Sequence, residues 1–233
     1  MALLTNLVSY WKLDEASGNA ADSVGSNTLT NNNTITYAAA KINNGASLNG
    51  SNQYFNSAAA GLQITGDLTY AMWVKPTVQL NRLSLLNTYA TAGNGLGVIT
   101  TLEDISGVLK MRFANYISGS NKDYTSTATV ASGSWSHIAF VYHASAGQVE
   151  FYVNGTSLDS PTGFPTSITS VSSMIFGNDG NLGTGNWYLG MVDEVGIWSR
   201  ALTSTEIASL YNGGAGLAYP FTAAATGNFF AFF

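Results

Sequence analysis

Apolar positions along this chain recur mostly at every second residue, the spacing of a strand with one buried face. Leu7 to Leu13 opens the pattern, and Ala46 to Phe55 follows around the turn Asn49-Gly50-Ser51-Asn52. Leu68 to Val74 stops at Lys75-Pro76, where proline removes a ladder donor. Leu83 to Leu86, Leu96 to Thr101, Val108 to Phe113 and Tyr124 to Val130 read as further short strands. Trp135 to His143 and Gln148 to Val153 form a hairpin, and Asn154-Gly155 turns the chain into Thr156-Ser157-Leu158. Ser173 to Phe176 and Trp187 to Ile197 complete the set. One stretch departs from this period. Thr203-Ser204-Thr205-Glu206 is a capping box, Ile207, Leu210 and Tyr211 make an apolar stripe, and Asn212-Gly213-Gly214 ends the helix. The pattern predicts an all-β fold: a two-sheet antiparallel β-sandwich (jelly roll) with one short C-terminal helix. Trp11, Trp73, Trp135 and Trp198 fall within strand patterns and are expected in the core.

Length and composition narrow the classes. The 233 residues suit one sandwich over 1–220 followed by a tail over 221–233. Only 9% of residues are charged, the net charge is −5, and no cysteine is present. A chain without a basic patch does not neutralise phosphates, so nucleic acid is excluded as a partner. Disulfides and thiolate metal sites are excluded too. Nothing approaches a membrane span, so no membrane insertion is expected. The first residues lack a basic region and a long apolar run, so no signal peptide is recognisable. In the tail, Phe229, Phe230, Phe232 and Phe233 are four aromatics within five positions. Such a tail is expected to dock, either on its own sandwich or on another subunit or larger particle, as an added strand or a pocket filler.

The catalytic signals are weak. Retaining glycoside hydrolysis needs two carboxylates about 5–5.5 Å apart, which on a strand means alternate positions. Glu103-Asp104 and Asp193-Glu194 are adjacent and would face opposite sides of a regular strand, while Glu150 stands alone. His137 and His143 share a face but lack a nearby acid, which favours packing over zinc. No nucleophile elbow, phosphate loop or dinucleotide fingerprint occurs. The chain is therefore expected not to be an enzyme. Glycan binding is better supplied. Tyr89, Tyr116 and Trp187 offer rings for a sugar face, with Asn115 and Asp179 as polar neighbours. The competing reading makes Trp187 the start of a core strand and the Asn and Gly residues turn formers.

Three segments together carry a family resemblance: Tyr10 to Asn27, Trp135 to Gly155, and Met191 to Ile207. The chain resembles the concanavalin A-like lectin/glucanase superfamily, specifically its laminin-G-like jelly-roll modules. The resemblance implies one structural Ca2+ where the N-terminal segment crosses the last strand. The match falls on Asp193, with Asp22 and the Gly45 carbonyl as companions. Against this, Asp22 can build an Asx turn with its own loop, and Asp193 can pair with Lys12 or Arg200. Such modules occur in secreted enzymes, surface adhesins and phage structural proteins. The expected function is a non-catalytic structural or adhesion module of a virion or extracellular assembly, with glycans as candidate ligands and the tail mediating self-association or docking. The alternative is a free calcium-dependent lectin-like domain, and a glycoside hydrolase ranks third.

Overall fold

The computed structural model describes residues 2–58, 60–88, 96–169, 173–180 and 185–222. Its strands, numbered in chain order, form two antiparallel sheets. The first holds β1 (Leu7–Trp11), β3 (Thr36–Ala39), β4 (Asn44–Asn49), β6 (Leu68–Pro76), β11 (Ser136–His143), β12 (Gln148–Val153), β13 (Thr156–Asp159) and β15 (Leu189–Trp198). Its order is β13-β12-β11-β6-β15-β4-β3, with β1 joining the far half of β15. The second holds β2 (Thr30–Asn32), β5 (Tyr54–Ser57), β7 (Leu83–Asn87), β8 (Gly97–Ile105), β9 (Val108–Ile117), β10 (Ser120–Val130) and β14 (Met174–Phe176). Its order is β10-β9-β8-β7-β14-β5-β2. The expected sandwich and its single helix, α1 (Ser204–Tyr211), are both present. β2, which is Thr-Asn-Asn, and β3, which is only four residues long, are additions to the sequence reading.

Strand β6 shows how the layers are built. Leu68, Tyr70, Met72 and Val74 point between the sheets, into a core that includes Phe113, Phe140, Tyr142 and Phe151. Ala71 packs on the opposite side of the strand, and Trp73 stacks there on Tyr211 of α1. That side carries a second apolar layer built from Leu3, Tyr10, Trp198, Ile207, Leu210 and Phe221. The eight-stranded sheet is thus buried on both faces, which is why β6 reads as a nearly continuous apolar run. The helix that seals it is fixed by the expected box: the Thr203 N–H donates to Glu206 Oε2 at 2.9 Å, and the Glu206 N–H donates to Thr203 Oγ1 at 3.3 Å. Arg200 adds two charged bonds to Glu206 at 2.8 and 2.5 Å, and these hold that carboxyl down at about 2. The indole of Trp198 donates to the Leu3 carbonyl at 2.7 Å, tying the first residues to the same layer. Phe221, placed in the tail by composition, lies at the centre of this layer, against Tyr10 and Trp198. Residues Phe229, Phe230, Phe232 and Phe233 lie outside the described residues.

Several side chains differ from their expected partners or burial. Arg200 serves Glu206, and Lys12 pairs with Asp14 at 2.9 Å, so neither is held by Asp193. Glu150 is not alone: cross-strand pairing brings it 2.9 Å from His143, and the Tyr152 hydroxyl bonds its other oxygen. Trp135 precedes β11 and is only half-buried, while Trp187 is buried to 8% exposure. One lateral edge of the sandwich is closed by a carboxylate. Asp159 Oδ2 lies 3.0–3.3 Å from the Thr127 amide and the hydroxyls of Tyr124, Ser126 and Thr127, which clamps β13 to β10 across the two sheets.

Candidate functional site

The outer face of the seven-stranded sheet is polar. On β8 and β9, Val98, Leu102, Leu109, Met111 and Phe113 point inward, so the alternate residues point out. Register places Ser84, Thr101, Arg112 and Thr125 side by side across four strands. Arg112 is almost wholly shielded by its neighbours and pairs with Asp123, whose Oδ2 also accepts the Tyr116 hydroxyl at 3.2 Å. Glu103, on the next row, accepts from Thr125 Oγ1 at 2.5 Å and from Arg82 Nε at 3.1 Å. Burial pushes the Glu103 carboxyl up, but the Thr125 and Arg82 donors outweigh it and hold it below the usual carboxylate range. The Tyr116 hydroxyl moves upward, through burial first and Asp123 second. At one end the face runs into a groove of about 260 Å³ between the 80–82 loop and Asn186. Arg82, Glu103 and Asp104 line it, and Leu80 stands at its lip 99% exposed. Asn186 reaches back to Asp179 at 2.6 Å.

The glycan candidates read from the sequence are therefore split. Tyr116 lies on this face, and Asp179 reaches its groove through Asn186. Asn115, one residue earlier on β9, must point the other way. It is fully buried and donates to the Ser167 carbonyl at 2.9 Å. Trp187 forms an isolated bridge with Asn178, and its ring lies against Tyr54 with centroids 6.1 Å apart, so little of it is open to a ligand. Tyr89 lies outside the described residues. Arg82 and Thr125 escaped the sequence reading, and Glu103 entered it only as a candidate catalytic acid. The alternation in β8 to β10 was the signal that could have found them, because it fixes which residues leave the core.

A second polar cluster sits under the opposite layer. β15 carries a bulge between Asp193 and Gly196, with Glu194 at φ +50°. Val192 and Val195 both stay in the main core, so the extra residue turns Asp193 and Glu194 to the same outer side. The regular strand assumed from sequence would have separated them. Both are buried. Asp193 Oδ2 accepts the Ile42 amide at 2.8 Å, and its Oδ1 has no donor. Glu194 faces the Tyr10 hydroxyl and the Tyr219 amide, but neither closes a bond of ordinary geometry. Burial raises Asp193 to about 8 and Glu194 to about 7. Burial likewise drives His137, which lines a small cavity with Tyr10, Glu194 and Leu210 beneath α1, down to about 3.

The expected calcium ligands fall partly in this cluster. Gly45 adjoins Asp193: a Cβ there would sit 3.3 Å from the Asp193 Cβ. Asp22 is engaged in its own loop. Its oxygens take the amides of Tyr10, Val24 and Asn27 at 3.0–3.1 Å, the Asx-type turn of the competing reading. The acids whose charge acts on Asp193 are Glu194 and Asp14. Calcium takes six to eight oxygens. In this cluster Asp193 Oδ1 and both Glu194 carboxylate oxygens are buried without a donor. Among the described residues no group of three His, Cys, Asp or Glu is arranged around a metal-sized gap.

A family model described as the concanavalin A-like lectin/glucanases superfamily matches residues 49–208. The chain belongs to this superfamily. The matched span contains the polar face, its groove and Asp193, but neither Asp22 nor Gly45. The binding domain of Paraclostridial mosquitocidal protein 1 superposes with a TM-score of 0.70 at 20% identity, covering 90% of this chain and 52% of that one. Domain 4 of an extracellular arabinanase from Geobacillus stearothermophilus, solved in complex with arabinotriose, gives 0.65 at 24% identity over 87% of this chain and 97% of that one. In sequence, the chain is 25% identical over 150 residues to the Rattus norvegicus sushi, von Willebrand factor type A, EGF and pentraxin domain-containing protein 1. That stretch is 61% of this chain and only 4% of that protein. The two solved domains are similar to this chain in fold, and the chain spans only a small part of the rat protein's length. No helix among the described residues is long and apolar enough to cross a membrane.

Proposed function

We propose that this protein is a non-catalytic carbohydrate-binding module that takes its ligand on the outer face of the seven-stranded sheet and in the adjoining groove. The observation that carries the reading is the contrast between the faces: one sheet is sealed by apolar residues, while the other presents Glu103, Arg82, Asp123 and Tyr116 held in a fixed hydrogen-bonded array. Ionised carboxylates and a guanidinium suit sugar hydroxyls, and Leu80 supplies an apolar lip. The arabinotriose bound to one structural neighbour supports the same ligand class. A general acid needs a raised carboxyl. Glu103 is lowered, and the raised pair Asp193 and Glu194 is buried on the opposite sheet, which supports binding without turnover. The test is a calorimetric titration with arabinotriose and a panel of other oligosaccharides, alongside product analysis. Arg82→Ala and Glu103→Gln should each weaken binding about tenfold, the effect of losing a charge-assisted bond. Released sugar, or affinity untouched by both substitutions, defeats the proposal.

The setting we propose is a virion or other extracellular assembly, with residues 223–233 docking on a neighbouring subunit or particle. Four phenylalanines within five positions support this, since aromatics dominate binding hot spots. Removing 223–233 should reduce the solution mass to that of a monomer while leaving sugar affinity intact. A Ca2+ ion beside Asp193 is a second proposal, supported by the orphaned Oδ1. Added Ca2+ should raise the midpoint of thermal unfolding by several degrees over a chelated sample. An unchanged midpoint leaves protonation of Asp193 as the way its free oxygen is satisfied.

A further inference from the structure

The chain holds a larger groove away from the polar face, at the side of the sandwich where β2 and β3 end their sheets. It encloses about 470 Å³ and is lined by residues 16–19, Asn31 and 33–37. None of these residues is charged. We infer that this groove is a second carbohydrate site, selective for neutral sugar units. The inference extends the carbohydrate-binding reading above to a separate place on the molecule.

Three observations carry it. The first is rigidity. The Asn31 side chain donates to the carbonyls of Gly18 and Ile35 at 2.9 Å and accepts the Ile35 amide at 2.7 Å. Asn19 Oδ1 in turn accepts the Asn31 amide at 3.0 Å. Gln53 Nε2 holds the carbonyls of Asn33 and Thr34 at 3.0 and 2.8 Å, fixing two successive residues at φ near +60°. A preset wall loses little freedom on binding. The second is the aromatic wall. Tyr37 is half-buried, lies beside Phe55, and is tethered by its hydroxyl to the Gly18 carbonyl at 2.9 Å. Its ring is therefore held in one orientation, as a stacking surface requires.

The third is the set of groups left over. Among the described residues, the hydroxyls of Ser17 and Thr36, the Asn19 Nδ2 and the Asn33 Oδ1 have no intramolecular partner. Neutral donors and acceptors of this kind match hydroxyls in both directions. A carboxylate or phosphate would find no cation here. The nearest acid acting on Tyr37 is Glu15, which is directed to the Ala21 amide at 2.8 Å and has its other oxygen shielded from solvent. The volume lies within the range of small-molecule sites, about 300–1,000 Å³.

The experiment is amide chemical-shift mapping on the full chain, titrated with maltotriose and xylotriose as neutral probes and trigalacturonate as an acidic probe of equal length. Shifts over 16–19 and 31–37 with a neutral probe, and at least tenfold weaker ones with trigalacturonate, are expected. Thr36→Trp, at an exposed position of β3, should abolish those shifts without lowering thermal stability. Shifts confined to β8–β10 would overturn this inference and leave the first proposal standing. Shifts confined to the groove would do the reverse. Equal response to the acidic probe, or no response to any of the three, overturns the neutral-sugar site.

Discussion

The two outer faces of this sandwich are made from the same strand alternation and serve opposite ends. On the eight-stranded sheet, outward positions are Trp73, Ala139, Val141 and Trp198, and the chain folds α1, its first residues and Phe221 over them. On the seven-stranded sheet, outward positions are Thr101, Glu103, Arg112 and Thr125; there Glu103 is held by Thr125 and Arg82, and Arg112 pairs with Asp123. A face that will be covered is written in apolar residues, and burial there pushes the carboxyls of Asp193 and Glu194 upward. A face that will meet solvent or ligand keeps its charges paired and in place.

The largest effect should come from breaking the covered face. Trp198→Ala removes a fully buried indole and its bond to Leu3, and should cost about 3–5 kcal/mol in urea unfolding. Next is the acid response of His137. Its folded pKa, about 3, lies below the unfolded value of about 6.5, so the unfolded chain binds the extra proton. Stability should fall by a few kcal/mol as pH drops through that window, and His137→Gln should flatten this limb of the pH–stability curve. Glu206 adds a lower window. Its folded value of about 2 against 4.5 gives stability that is present above pH 4.5 and lost toward pH 2. Because the pair with Arg200 is partly exposed, Glu206→Gln should cost on the order of 1–2 kcal/mol at pH 7. The smallest effect belongs to the open face: Arg82→Ala should shift stability by less than about 0.5 kcal/mol. If it destabilised as much as Trp198→Ala, the distinction between the faces would collapse.

The sequence pattern made the strands, the hairpin at Asn154-Gly155 and the Thr203–Glu206 box readable because each depends on neighbours within a few positions. The face of the polar array was readable in principle, since Phe113 pointing inward sends Arg112 and Ala114 outward and Asn115 back inward. What could not be read was non-local. The Glu194 bulge breaks the period that alternation relies on, and no local residue announces it. Trp135 departed from its expected core place because it lies just before a strand, where burial depends on which loop arrives from elsewhere, while Trp187 follows its core reading. β2 and β3 are held by register with β5 and β4, not by their own Asn- and Ala-rich composition. The 16–37 groove arises where they part company and was invisible for the same reason.

The Asp159 clamp sets how this sandwich comes apart. A single oxygen serves the Thr127 amide and three β10 hydroxyls, so β13 cannot fray without exposing donors of the other layer in the same event. Hydrogen–deuterium exchange at Thr127 should therefore track the cooperative opening of the whole flank. The outermost strand of the first sheet then behaves as a fastened hem, and proteolytic nicking there should be as slow as unfolding itself.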